Sequence, residues 1–143
     1  MQIARVLATV VLLFMTAAHA ADERQFVPLP DRMRDHMLHN MRDHLLAIQT
    51  ITRQLAAGQY DAAADTAEAR LGMTSLQRHD AAHMASYMPR GMQAAGTAMH
   101  QAASRFAITA RNAEVEGGLA RAFGALSRVM AACVACHSAY RIH

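Results

Sequence analysis

Residues 119–140, LARAFGALSRVMAACVACHSAY, decide the fold. Leu119, Phe123, Leu126, Met130, Cys133, His137 and Tyr140 recur at alternating spacings of four and three. That period lays one apolar stripe along a helix and packs it on its neighbours at a shallow angle, as in a four-helix bundle. The stripe is the expected buried seam.

The same pattern continues upstream. Met92, Ala95, Met99, Ala102, Phe106, Thr109 and Ala113 predict a helix over about 92–114, ended by Gly117-Gly118. Asp31 is a candidate N-cap for a long first helix that runs to Gly58, a candidate C′ stop. With Met41 as reference and ~100° per residue, Met37, Leu38, Leu45, Ile48 and Leu55 fall within about 60° of it, while His36 and His39 point away and are expected to be solvated. Residues 60–71 read as a short Ala-rich helix stopped by Gly72, and residues 73–91 as a connection with a partial helix broken at Pro89 and Gly91. Residues 22–30, with Pro28 and Pro30, read as an extended lead-in. Met-Arg-Asp-His occurs at 33–36 and again at 41–44, too short a period for a solenoid, and reads as local duplication. The fold class is therefore all-α, an antiparallel four-helix bundle.

Composition agrees and adds a puzzle. Of 143 residues 32 are Ala, 53% are hydrophobic and only 5% aromatic. Such a chain suits helices and disfavours a β-sandwich, but methyl groups bury little area, so something besides large side chains should fill the middle. All 14 basic residues are Arg, and a net charge of +3 with scattered Arg excludes nucleic acid as the expected partner.

The first twenty residues stand apart. Arg5, the apolar run Val6–Met15 and Ala18-His19-Ala20 form a secretory signal, with cleavage expected after Ala20. The run is about half of the ~20 apolar residues needed to span a bilayer, and no later segment is expected to do so. Residues 1–20 are thus the signal peptide and 21–143 one domain, expected in the periplasm with no membrane partner in its mature form.

Within the last helix Cys133-Val134-Ala135-Cys136-His137 is C-x-x-C-H, the signature of covalent haem attachment. Two thiols one turn apart can each add to a vinyl group, and the next residue offers an imidazole to the iron. A disulfide between cysteines three apart closes a tiny loop in poor geometry. A redox dithiol normally sits at a helix N-terminus, and zinc would need further ligands that no other Cys supplies.

The export signal, the Ala-rich helical layout and the run Cys133–Arg141, with an aromatic and an Arg after the motif, together resemble the class II cytochromes c, the cytochrome c-prime family. The resemblance covers the mature chain in layout, and its specific part is the last helix. It implies one covalent haem c on Cys133 and Cys136, with His137 as proximal iron ligand. It further implies one-electron transfer rather than enzymatic catalysis, a redox partner protein and, in many members, a homodimer through the first two helices. Arg34 and Leu38 match the family's Arg and, four residues on, the residue over the distal face. A Leu there implies an open iron site that binds nitric oxide or another diatomic gas, and a Met implies a six-coordinate electron carrier. Face geometry instead favours Met37 or Met41 as distal ligand, so both readings stand, with Met37 ahead. Arg34 is a candidate partner for a haem propionate, or an exposed Arg at a helix start.

His79, His83, Met84, Met88, Met92, Met99 and His100 form a Met/His-rich stretch. Thioethers and imidazoles suit copper, which makes a copper-handling protein a further alternative. Adaptable core filler with solvated histidines is the plainer account.

Overall fold

The computed structural model describes residues 22–116 and 118–143. The expected export signal and its cleavage site lie outside the described residues. Apart from two strands of two residues each, the ordered elements are helical, and the chain is all-α.

Helix α1 spans Asp31–Ala56. Its first carbonyl acceptor is Pro30, which takes the amides of Met33 and Arg34 at 2.8 and 2.9 Å. Proline's fixed φ starts the helix one residue before the expected cap takes effect. Asp31, expected as the N-cap, is the first helical residue and makes no side-chain cap; its carboxylate pairs with Arg34 at 3.0 Å. At the other end Gly58 adopts φ +71°, the left-handed stop anticipated from sequence.

After α2 (Tyr60–Arg70), a 3₁₀ turn at Met73–Leu76 and the short α3 (Ala81–Ala85) make up the connection. Asp80 takes φ +50° just before α3, a conformation that aspartate tolerates. Helix α4 (Arg90–Arg111) begins directly after Pro89, two residues earlier than periodicity suggests. A short α5 (Ala113–Glu116) leads to α6 (Gly118–Ala139).

Helix α2 packs on α1 and on α4, and α4 packs on α6, whereas α6 and α1 touch only slightly. Two apolar clusters result. The larger gathers Ile51, Leu55, Leu71, Phe106, Leu126 and Val129 with a set of alanines. The smaller gathers Val27, Leu29, Met33, Met84 and Met92, with Met37, Cys136 and Tyr140 against it. The lead-in belongs to the smaller cluster because β1 (Gln25–Phe26) pairs in parallel with β2 (Tyr140–Arg141). Val27 N donates to Arg141 O at 2.8 Å, and the Arg141 guanidinium sits 4.9 Å from the centroid of the Phe26 ring.

Two faces differ from expectation. On α6 the buried side is Ala122, Ala125, Leu126 and Val129, while Leu119, Phe123 and Met130 of the expected seam are exposed. Alanines of both α4 and α6 lie in the shared core beside Phe106, Leu126 and Val129, so on α6 small residues take much of the inward face. On α1 Leu45 is 72% exposed, and Ala47, Ile51 and Leu55 carry the core. Helix α6 is also long and apolar enough by length and composition to cross a membrane, with hydropathy 1.5 over its best window, a property the sequence reading did not expect.

Candidate functional site

A cavity of about 260 Å³ opens beside the smaller cluster, walled by α1, the connection, α4 and the C-terminal end of α6. Helix α1 lines it with Met37, Leu38, Asn40, Met41 and His44; the connection adds His79, Ala81, Met84 and Met88; α4 adds Met92, Gly96, Met99 and His100. Cys136 and His137 at the end of α6, then Tyr140 to His143 and Arg24, complete the wall. Six methionines, unbranched and adaptable, give the lining a soft apolar character.

Cys133 and Cys136 are free and half-buried. Burial pushes both thiols above the ordinary cysteine value, so they are neutral thiols rather than thiolates. Cys133 Sγ donates to the Val129 carbonyl at 3.4 Å, while Cys136 stands on the cavity wall. His137 is exposed at the same wall, and its carbonyl accepts from Arg24 Nη1 at 3.4 Å.

On α1 all three distal candidates, Met37, Leu38 and Met41, reach the cavity, each partly buried. Arg34 does not line it; the arginines there are Arg24 and Arg141, both beside Asp22. Of the Met/His-rich stretch His79, Met84, Met88, Met92, Met99 and His100 line the cavity, whereas His83 lies against Tyr87 with ring centroids 5.4 Å apart.

The sequence reading did not select His44, and it assigned His36 to solvent. Both meet His79. His36 Nε2 donates to the His79 carbonyl at 3.0 Å, Asn40 Nδ2 donates to the same oxygen at 3.3 Å, and the His44 ring packs edge-on against the His79 ring with centroids 4.7 Å apart. Residues 36, 40 and 44 follow one another at helical i, i+4 spacing, so the last residue of each Met-Arg-Asp-His copy, with Asn40 between them, lies on one face of α1 that meets His79. His100 completes the group at 5.5 Å from His79 and 5.8 Å from His44. Burial, reinforced by His100 beside it, lowers His79 to about 4, and burial with the neighbouring His79 lowers His44 to about 4. Burial also lowers His100. All three are neutral imidazoles at neutral pH.

No protein-family model, curated protein or solved structure matches the chain.

Proposed function

We propose that the protein is an exported c-type cytochrome: α1, α2, α4 and α6 form an antiparallel four-helix bundle that holds one covalent haem and transfers single electrons. The observation that carries this reading is the meeting of Cys136 and His137, within C-x-x-C-H, with an apolar Met-lined cavity whose opposite wall is α1. The donor set fits the group. Two free neutral thiols one turn apart supply thioether links, and the imidazole of His137 is exposed to the same space.

A bound haem supplies a one-electron couple at iron, and the chain's own residues set its surroundings. Methionines 37, 41, 84, 88, 92 and 99 exclude water without adding charge. Arg24 and Arg141 line the cavity and Arg34 does not, so although both share Asp22 they suit the carboxylates of a porphyrin better than Arg34. The distal side belongs to α1. Met37 or Met41 offers a thioether and a six-coordinate carrier; Leu38, also on the wall, offers an open position for a diatomic gas.

Mass spectrometry of the exported protein tests the reading. The expected result is a mass increase of one haem that disappears when Cys133 and Cys136 are both replaced by Ala; an unmodified wild-type chain overturns it. The reduced visible spectrum then chooses between carrier and gas binder. A sharp low-spin α band supports a Met ligand, and a broad high-spin spectrum supports Leu38.

A further inference from the structure

The cavity holds a second set of donors that haem attachment does not use. We propose that His79 and His100, with a cavity methionine, form a site for Cu(I).

The tautomers are set by the surrounding hydrogen bonds. His100 Nδ1 lies 2.7 Å from the Leu71 carbonyl, an acceptor only, so Nδ1 carries the proton. Ser75 Oγ donates to the Gly72 carbonyl at 2.7 Å, which leaves its lone pairs to accept from His79 Nδ1 at 3.4 Å. Both rings therefore keep an unprotonated Nε2, the form a metal takes, with the other nitrogen anchored to protein as ligating histidines are. The Nε2 of His79 is buried and makes no hydrogen bond, and so is the Nε2 of His44 next to it. A buried lone pair without a partner is costly, and a cation that accepts it removes the cost.

The kind of cation follows from what surrounds these nitrogens. Among the described residues no group of three His, Cys, Asp or Glu side chains is arranged to hold a metal ion, which disfavours zinc and its four such ligands. Two imidazoles and a thioether make a soft, neutral, low-coordinate set that selects Cu(I). Met41, Met84 and Met99 line the same cavity as His79 and His100, and Met99 is the residue before His100.

The site does not depend on haem. Treating the full exported chain with iodoacetamide first removes any thiol that haem has not already taken, so a failure of haem attachment leaves the copper result readable.

Anaerobic titration against the chromophoric Cu(I) chelator bicinchoninate is the experiment. The wild type should withdraw one equivalent of copper, excess Zn(II) should not displace it, and the double variant His79→Gln/His100→Gln should bind at least tenfold more weakly. Copper left on the chelator, displacement by zinc or an unchanged affinity in the double variant overturns the site. If the double variant does not fold, ¹⁵N-histidine NMR of the wild type decides instead. Copper should shift two buried Nε2 resonances, and spectra unchanged on saturation overturn the proposal.

Discussion

Asn40 on α1 donates to the backbone carbonyl of His79, 39 residues away, at 3.3 Å. This bond ties the irregular connection to α1 at the cavity wall. Asn40 is buried, so replacing it with Ala leaves a carbonyl with one donor fewer and opens a void. Loss of about 1–3 kcal/mol is expected on chemical denaturation, and Asn40→Ala should raise amide exchange around residues 73–85 before it affects α4.

The three packed imidazoles make the fold acid-sensitive. Unfolded histidine takes up its proton near pH 6.5, whereas His44 and His79 in the fold do so only near 4. Between those values the unfolded chain binds more protons, so stability is complete above about pH 6.5 and declines steadily as pH falls toward 4. Below that window Asp43 adds to the loss. The Arg70 guanidinium beside it holds its carboxyl below the ordinary range, and protonation ends that pairing. Urea midpoints at several pH values should show the decline, and His44→Phe should flatten it.

On α4 Met92, Met99, Ala102 and Phe106 of the expected stripe are buried, whereas on α6 burial departs from the stripe read by residue size. Phe106 is 1% exposed and Leu126 likewise, so Phe106→Ala and Leu126→Ala should each cost about 2–5 kcal/mol. Leu45→Ser and Val134→Ser, at 72% and 64% exposure, should change stability by less than about 0.5 kcal/mol. Equal costs in the two pairs would mean that burial does not set what these positions contribute to stability.

These particulars mark what the sequence can carry. The stop of α1 was legible because Gly58 acts through its own backbone preference, and its start was legible to one residue, with Asp31 expected as the cap where Pro30 stands. The C-x-x-C-H pattern was legible because it lies within five adjacent residues, Cys133 to His137. The rotation of α6 was not, since packing selected Ala122 and Ala125 for close approach rather than Phe123 and Met130 for size. The pairing of Gln25 with Tyr140, and the convergence of His36, Asn40 and His44 on His79, are long-range and leave no local period.

Substitution on α1 identifies the distal residue. Met37 and Met41 differ by one helical turn and both line the cavity. Met37→Leu is expected to replace the low-spin spectrum of the haem-loaded protein by a high-spin one, with Met41→Leu leaving it unchanged. Leu conserves volume closely enough to cost less than about 1.5 kcal/mol, so a spectral change reports ligation rather than collapse. A spectrum indifferent to both changes would remove methionine from the iron.

The aromatic-poor composition finally divides the molecule in two. The larger cluster packs Ile51, Leu55, Phe106 and Leu126 and is flanked by a pocket that Arg105 and Arg128 help to line. The smaller one, Val27, Leu29, Met33, Met84 and Met92, borders the Met-lined cavity that Cys136 and His137 reach, which is where the proposed haem would add bulk. Loss of covalent haem in Cys133→Ala/Cys136→Ala should therefore act unevenly. The melting temperature should fall, because a group bound to the native state alone no longer stabilises it. Hydrogen exchange should rise first in the lead-in, the 73–89 connection and the start of α1, while residues 47–55 and 102–110 keep their protection. Uniform loss across both clusters would show one cooperative core, and a variant as stable as the haem-loaded protein would show that the cavity needs no filling.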